Sequence, residues 1–340
     1  MLDGYATVDG TDAYFQIQNR IHTRTTPWFH TSPIAIGTHL GDMTEADSAL
    51  YRDSIAFCLQ SGINFIDTAL NYRGMRSERD IGAVVTRLVE DKMLKRNHFV
   101  ISSKAGIIPG DIVKNLVPTE YLRVVLLKNG IIKQSDIQIF GNHKHVITPS
   151  YFQFAIEQSR KHLNVSTIDI YYLHNPEVSM SVLGPDKFYE RVRELFSFFE
   201  EKVKEGFIRF YGMATWEAFR LDKHQPGYIS LERVFEIATE VGGTSHHFRF
   251  IQLPYNFQMK EANEKKNQSI AGEKMAVLEA AKKLGIYVTT SAPLNQGDIG
   301  VDAGSIQEVL SNVISTRGIF ATMIGMKQVQ HAKMNLKAIQ

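Results

Sequence analysis

Short apolar runs alternate with longer amphipathic stretches along most of this chain. In the stretches EADSALYRDSIAFCLQSG and KMAVLEAAKKLG, apolar residues recur every three or four positions, which predicts helices that end near Gly62 and Gly285. The apolar runs have the length of buried strands. The eight predicted strands are SPIAIGTHLG (32–41), INFIDTA (63–69), HFVISSKAG (98–106), TIDIYYLHN (167–175), FIRFYGMAT (207–215), FRFIQLPYN (248–256), IYVTTSAPL (286–294) and ATMIGM (321–326).

This alternation predicts an α/β protein. Strands that are apolar throughout and separated by helices form a parallel sheet that is buried on both faces. Eight such units in about 300 residues predict a closed (β/α)8 TIM barrel. A doubly wound open sheet is the alternative, but no Gly-x-Gly-x-x-Gly follows the first strand, so a dinucleotide-binding sheet of that kind is not favoured.

Two regions lie outside the repeat. Residues 1–31 precede the first strand and are predicted to form an N-terminal extension, a small hairpin covering the barrel floor, while residues 32–340 form a single barrel domain. Residues 107–148 are too long for a simple connection and predict an excursion beside the third βα unit.

Composition and charge narrow the functional classes. The 340 residues carry a formal net charge of +2, which gives no electrostatic reason to expect nucleic acid or an anionic membrane as partner. No apolar run approaches the ~20 residues of a membrane span, and the N-terminus does not resemble an export signal. The single cysteine, Cys58, excludes an internal disulfide and is predicted to be a packed thiol. A cytoplasmic protein is expected, and the oligomeric state is not indicated.

Candidate chemistry lies at the ends of consecutive strands, where barrel enzymes build their sites. Asp67, Lys104 and His174 close the second, third and fourth strands, and Tyr72 follows Asp67 in the next loop. A phenol with a pKa of about 10 is a weak acid unless a cation favours its phenolate, and Lys104 is the predicted cation. Asp67 would hold the lysine charged, and His174 would bind the oxygen of a carbonyl while Tyr72 donates the proton. Taken singly, each residue also has an ordinary interpretation as a turn, capping or loop residue.

Other polar clusters have simpler interpretations. The histidines of GNHKH (141–145) and SHH (245–247) lack zinc-site spacing or a cysteine partner, so loop roles are favoured and no metal site is predicted. In SERD (77–80), Ser77 is expected to cap a helix whose acidic residues complement the dipole. Arg73 and Arg76 are expected either to contact an anionic substrate or to lie on the surface.

Several of these segments, in this order, resemble the signature segments of the aldo-keto reductase family. They are GINFIDTALNY followed by SERDIG, VISSKAG, IDIYYLHNPE, IQLPYNF and MIGM with a later Asn, and the similarity runs from about residue 32 to 338. The resemblance implies a (β/α)8 barrel that binds an extended nicotinamide cofactor without a Rossmann domain. It places Asp67, Tyr72, Lys104 and His174 on the family's catalytic tetrad, with Tyr72 as general acid. The form LHNPE is most similar to bacterial and plant members that act on sugars or small aldehydes.

The resemblance also implies a set of cofactor-binding residues, with some departures. Gln252 matches the glutamine that holds the nicotinamide carboxamide, whereas the family's Ser-Asn pair is Ala214-Thr215 here, leaving Thr215 as the hydrogen-bonding residue. Ser291 replaces the aromatic residue that stacks under the nicotinamide, before Pro293 and Leu294. At the adenosine end, an arginine common in the family is replaced near His331. The implied cofactor-binding residues are Thr215, Gln252, Ser291, Pro293, Leu294, Lys327, Gln328 and Asn335.

Three functions are compatible with these residues. The first is NAD(P)H-dependent reduction of aldehydes or ketones, with NADP(H) favoured by Lys327 as a phosphate-binding cation and NAD(H) as the alternative. The second is NAD(P)+-dependent oxidation of a sugar or another alcohol at the same site. The third is a regulatory subunit that binds nicotinamide to sense redox state. In the enzymatic cases the partner is a small carbonyl or sugar substrate.

Overall fold

A closed barrel of eight parallel strands forms the centre of the protein. The computed structural model describes residues 1–18, 21–295 and 305–339. The barrel strands are β1 (Ile34–Gly37), β2 (Phe65–Asp67), β3 (Val100–Ala105), β4 (Ile168–His174), β5 (Ile208–Ala214), β6 (Phe248–Pro254), β7 (Tyr287–Ser291) and β8 (Ile319–Gly325). They follow one another in chain order around the barrel, which closes where β8 pairs with β1. The predicted TIM barrel and all eight predicted strands are confirmed.

Helices follow the strands on the outside of the barrel. The longer helices are α1 (Val8–Ile17), α2 (Glu45–Gln60), α3 (Arg76–Glu90), α4 (Pro149–Leu163), α5 (Glu177–Lys204), α6 (Leu231–Gly242), α7 (Val277–Lys283), α8 (Ile306–Ser315) and α9 (Val329–Leu336). Helices α2 and α7 end just before Gly62 and Gly285, as predicted. Cys58 is buried in α2, and burial raises the pKa of its thiol to about 12, so it is a packed thiol. Among the described residues, no helix has the length and apolarity to cross a membrane.

Alternation along the strands separates two apolar layers. In β4, Ile170 and Tyr172 belong to the cluster inside the barrel, whereas Tyr171 and Leu173 pack into the larger cluster under the helices. Because side chains alternate along a strand, the same pattern turns His174 inward at the carboxyl end of the barrel. The pattern of a buried parallel strand therefore sets the direction of a candidate site residue.

The N-terminal extension covers the amino end of the barrel. It contains the predicted hairpin, in which Arg24–Thr25 pairs with His30–Thr31. Trp28 and Phe29 from this hairpin pack on Phe210 and Phe250, each the third residue of its barrel strand. The preceding helix α1 was not predicted. Its glycine and aspartates obscure the periodicity, but the Thr7 side chain caps it by accepting a hydrogen bond from the backbone NH of Gly10.

Residues 107–148 form the predicted excursion between β3 and α4. It contains short helical turns, including Ile112–Lys114 and Pro118–Tyr121, and a hairpin that pairs Gln138–Phe140 with His143–His145. A single bridge joins Ile107 to His145, so the excursion leaves the barrel and returns to it at the carboxyl end of β3.

Candidate active site

The strand order brings three predicted site residues to one mouth of the barrel. Asp67 is the last residue of β2, Lys104 is the last but one of β3, and His174 is the last of β4. These strands are neighbours, because β2 pairs with β3 and β3 with β4. Their carboxyl ends meet at the same rim, where barrel enzymes place their catalytic groups.

A buried ion pair forms the base of the site. Lys104 Nζ lies 2.6 Å from Asp67 Oδ2 and donates a second hydrogen bond of 2.8 Å to the carbonyl oxygen of Thr68. The other carboxylate oxygen of Asp67 accepts from Ser102 Oγ at 2.7 Å and from Gln252 Nε2 at 3.0 Å. Because both charges are buried and hydrogen-bonded, the lysine is held in one position.

Tyr72 lies directly above this pair. Its ring centroid is 5.0 Å from Lys104 Nζ and 5.7 Å from the ring of His174, which it meets edge-on. The chain turns sharply just after Tyr72, since Arg73, Gly74 and Met75 have φ values of 50°, 59° and 67°. The structure therefore brings Asp67, Tyr72, Lys104 and His174 together, and it adds His39, whose ring centroid is 4.7 Å from that of Tyr72.

Burial governs the protonation of these groups. Burial raises the pKa of Tyr72, and although Lys104 acts in the opposite direction, the net pKa lies above its usual value. Lys104 thus lowers the pKa of Tyr72, as predicted, but burial raises it by more. For Lys104, burial lowers the pKa, but Asp67 and Tyr72 more than compensate, so the ammonium form is favoured. Burial, followed by the charge of Lys104, holds the pKa of His174 well below its usual value, so its imidazole is neutral.

His145 is a residue of the site that the sequence interpretation assigned only to a loop. It is fully buried, its Nε2 lies 2.6 Å from the backbone carbonyl oxygen of His174, and its Nδ1 lies 2.6 Å from Ser179 Oγ. The surrounding GNHKH segment gave no periodicity that would separate this inward histidine from the exposed His143. Among the described residues there is no group of three or more potential metal ligands.

The second histidine segment, SHH (245–247), lies away from the candidate site. Its last histidine, His247, pairs through Nδ1 with Glu200 Oε2 at 2.7 Å. His246 is buried, and burial lowers its pKa to about 4. These contacts are within the protein scaffold.

Two of the implied cofactor residues, Thr215 and Gln252, lie at the barrel mouth, and Thr215 has an unpartnered polar atom there. Thr215 follows β5 and its backbone NH donates to the carbonyl oxygen of Gln252 at 2.8 Å. Its hydroxyl oxygen is buried and has no hydrogen-bond partner among the described residues. His174 Nδ1 is likewise buried and has no hydrogen-bond partner among the described residues. Unsatisfied buried polar atoms at a strand-end site are suited to a bound polar ligand.

Three further implied cofactor residues lie together after β6 and β7. Ser291 is the last residue of β7 and is half-buried, Pro293 is buried, and Leu294 packs at the edge of the main apolar cluster. The carbonyl oxygen of Ser291 accepts a hydrogen bond of 3.1 Å from the backbone NH of Tyr255. These three residues therefore provide a small, largely apolar edge to the barrel mouth instead of an aromatic platform.

The last three implied cofactor-binding residues lie after β8. Lys327 Nζ pairs with Asp47 Oδ2 of α2 at 2.9 Å, Gln328 is exposed at the start of α9, and Asn335 is buried within α9. His331, at the position of the missing arginine, is exposed. The charge of Lys327 is thus already engaged by a carboxylate of the chain itself.

Two predictions around Tyr72 are wrong. Ser77 does not cap α3; its hydroxyl donates instead to the carbonyl oxygen of Thr38 at 2.7 Å. Arg73 neither lies on the surface nor points to a substrate, because it is buried and pairs through Nη1 with Asp80 Oδ2 at 2.8 Å. Arg76 pairs with the exposed Glu45 at 3.0 Å.

A closed eight-stranded parallel barrel with an Asp-Tyr-Lys-His cluster at the carboxyl ends of its strands defines a class of barrel oxidoreductases. Comparison with known proteins identifies the family. Residues 33–299 match the Aldo/keto reductase family, and the chain belongs to that family.

Relatives of known structure share the fold across nearly the whole chain. An aldo-keto reductase from Bacillus halodurans, solved in its holo form, superposes with a TM-score of 0.60 at 16% identity, covering 94% of this chain and 91% of that one. An aldo/keto reductase from Klebsiella pneumoniae, solved with NADP and acetate, has a TM-score of 0.59 at 16% identity, covering 99% and 90%.

A curated relative from Escherichia coli K12, an NADH-specific methylglyoxal reductase, is 27% identical over 201 residues. The matched segment covers 56% of this chain and 52% of the relative, so the match spans about half the length of each protein.

Proposed function

We propose that this protein is an NAD(P)H-dependent reductase of aldehydes or ketones, with Tyr72 as the general acid. The observation that carries the proposal is the buried Lys104–Asp67 pair beneath the Tyr72 ring, with His174 beside it. A carbonyl oxygen placed between the phenol and the imidazole would meet a proton donor and a hydrogen-bond donor together.

Each residue has one task in this scheme. The raised pKa of Tyr72 keeps its phenol protonated at neutral pH, so the proton is available for the carbonyl oxygen. Lys104 stabilises the phenolate that remains after transfer, and Asp67 keeps Lys104 charged and in place. A neutral His174 has one N–H to donate and orients the carbonyl oxygen without giving up that proton.

The residues present fit a nicotinamide cofactor. The unpartnered hydroxyl of Thr215 and the side-chain oxygen of Gln252, whose amide nitrogen is bound to Asp67, would hold the carboxamide. Ser291, Pro293 and Leu294 would line the same end. Lys327, Gln328 and Asn335 would hold the adenosine end. When bound, NADPH or NADH supplies a hydride to the carbonyl carbon and becomes the oxidised cofactor.

NADPH is the cofactor we propose, with NADH as the alternative. Lys327 supplies a cation for a 2′-phosphate, as a point charge without the fork of an arginine. Asp47 competes for that charge, and the relative from Escherichia coli is NADH-specific. The preference for NADPH is therefore expected to be modest.

The protonation of Tyr72 favours reduction over oxidation of an alcohol. Oxidation needs the phenolate as a base, and burial disfavours the phenolate. A redox-sensing role without turnover has no comparable support, because all four residues needed for proton transfer are assembled.

The test is NADPH consumption with 4-nitrobenzaldehyde by wild-type protein, Tyr72→Phe and the control Tyr5→Phe, whose ring is exposed at the opposite end of the barrel. Tyr72→Phe is expected to lower kcat by roughly 10²–10⁴-fold while NADPH binding, followed by fluorescence, changes little. Tyr5→Phe should match wild type. Turnover by Tyr72→Phe within twofold of wild type contradicts the assigned role, and tight NADPH binding without turnover of any carbonyl would support the sensing role instead.

A further inference from the structure

A cavity of about 530 Å³ lies between the loop that contains Tyr72 and the excursion 107–148. Asn71 and Gly74 form one wall, so the cavity begins one residue from the proposed acid. Ile107 and Ile108 form another wall, and they follow Lys104 by three and four residues. The volume lies within the range of small-molecule sites, roughly 300–1,000 Å³.

The lining is largely aliphatic. Besides Ile107 and Ile108, it includes Met43, Ile112, Leu116 and Val117. The polar lining residues are Asn71, Asn115, Thr119, Asn142, His143 and Lys144. Met43 and Val117 are 52% and 59% exposed, so apolar surface continues from the cavity to its rim. Contiguous exposed aliphatic groups next to a catalytic site mark a binding surface for apolar ligands.

The backbone of the Tyr72 loop brings these groups together. A Cβ atom on Gly74 would lie 3.0 Å from Ile112 Cβ and 3.2 Å from Met43 Sδ, and the φ of Gly74 is +59°. A larger side chain at this position would press into the apolar wall. The absence of a side chain at Gly74 lets the excursion approach Tyr72 closely.

We propose that the substrates are carbonyl compounds with an extended apolar chain, which this cavity holds while the carbonyl lies at Tyr72. The proposal rests on the proposed carbonyl reduction and names its substrate class. Sugars carry a hydroxyl on most carbons, and each hydroxyl that meets the aliphatic part of the walls would lose hydrogen bonds to water without replacing them. An alkyl chain that moves from water into contact with these walls buries apolar surface, which favours binding.

The test is a kcat/KM series with propanal, hexanal and octanal, and with glyceraldehyde, which has the chain length of propanal but two hydroxyl groups. We expect kcat/KM to rise by roughly threefold per methylene until the cavity is filled, and propanal to exceed glyceraldehyde. Ile112→Ser and Leu116→Ser should reduce the gain from propanal to octanal at least fivefold. The matched control is Val113→Ser, which alters an exposed neighbour that does not line the cavity.

The results of this series distinguish the inferred apolar substrate class from the proposed carbonyl reduction. Turnover of propanal with no dependence on chain length overturns the apolar substrate class and leaves carbonyl reduction intact. If no aldehyde is reduced, binding of 1-octanol is measured by displacement of the dye 1-anilinonaphthalene-8-sulfonate. If Ile112→Ser and Leu116→Ser weaken the displacement and Val113→Ser does not, the result supports an apolar ligand site without reduction. If none of the three variants changes the displacement, the apolar site is overturned.

Discussion

His145 Nε2 lies 2.6 Å from the backbone carbonyl oxygen of His174, which joins the excursion 107–148 to the end of β4. Since a carbonyl oxygen only accepts, the imidazole must donate through Nε2, and its Nδ1 is free to accept from Ser179 Oγ at 2.6 Å. A Cβ on Gly106 would lie 2.5 Å from His145 Nε2, so a glycine is needed where the two segments meet. His145 is therefore a positioning residue for His174.

Removing this donor is expected to disturb His174 more than the overall fold. We predict that His145→Phe lowers kcat about tenfold and destabilises the protein by about 1–3 kcal/mol, because the carbonyl loses a buried partner. His145→Gln, which retains an N–H, should recover most of both. The measurements are steady-state kinetics and urea unfolding, with His224→Phe as an exposed control. A kcat unchanged in His145→Phe would show that the contact does not orient His174.

The same histidine makes stability depend on pH. Burial lowers the pKa of His145 to about 4, whereas an unfolded histidine has a pKa of about 6.5. Above pH 6.5 the imidazole of His145 is neutral in both the folded and the unfolded state, and its contribution to stability is fully present. Between pH 6.5 and 4 the imidazole is protonated in the unfolded state but not in the folded state, which favours unfolding. Unfolding free energy should therefore fall between pH 6.5 and 4, by up to about 3 kcal/mol from this residue. His145→Gln should show a correspondingly shallower fall, whereas the exposed control His224→Gln should follow wild type. Identical slopes for all three proteins would contradict the prediction.

The sequence predicted the barrel well because a buried parallel strand must be apolar on both faces, and eight such runs are visible without knowledge of their contacts. The same logic located Asp67, Lys104 and His174, since strand ends share one rim. Arg73 and His145 were misjudged for a physical reason: each lies in an irregular segment whose direction depends on distant partners, namely Asp80 and Ser48 for Arg73 and His174 for His145. Periodicity carries no information about such contacts.

The Lys104–Asp67 pair allows stability and catalysis to be measured separately. Lys104→Met should destabilise the protein by about 3–5 kcal/mol, because it leaves the Asp67 carboxylate buried without its cation. Adding Asp67→Asn removes that charge and should restore most of the stability. Turnover should stay at least 100-fold below wild type in both variants, since no cation remains to stabilise the phenolate. Urea unfolding and NADPH-linked assays test this, and recovery of turnover in the double variant would exclude the role of Lys104.

Arg73 and Arg76 offer a matched comparison of buried and exposed ion pairs. Arg73 bonds to Asp80, to Ser48 Oγ and to the carbonyl oxygen of Asp42, whereas Arg76 meets an exposed carboxylate. We expect Arg73→Met to lower the free energy of unfolding by about 1–3 kcal/mol, because Asp80 loses its buried partner but still pairs with Arg52. Arg76→Met should lower it by less than about 1 kcal/mol. Urea denaturation measures both. Equal effects would show that burial adds nothing to the stabilising contribution of Arg73.

Lys327 and Asp47 are the two residues that we propose to set the cofactor preference. Asp47 Oδ2 accepts from Lys327 Nζ at 2.9 Å and from the backbone NH of Asp42, and the Lys327 hydrogen bond holds the pKa of this carboxyl below its usual value. A 2′-phosphate on the cofactor must compete with this carboxylate for the lysine. Asp47→Asn should therefore lower the Kd for NADPH about fivefold, with NADH changed by less than twofold, and the gain should shrink at high salt because it is electrostatic.

Fluorescence titration with each cofactor measures these changes. Lys327→Met should weaken NADPH selectively, and Glu45→Gln, a nearby exposed acid that pairs with Arg52 and Arg76, should leave both Kd values unchanged. If Asp47→Asn improves NADH and NADPH equally, the carboxylate acts on the shared diphosphate and Lys327 does not select the 2′-phosphate. In that case the modest preference for NADPH loses its structural basis, and NADH becomes the expected cofactor.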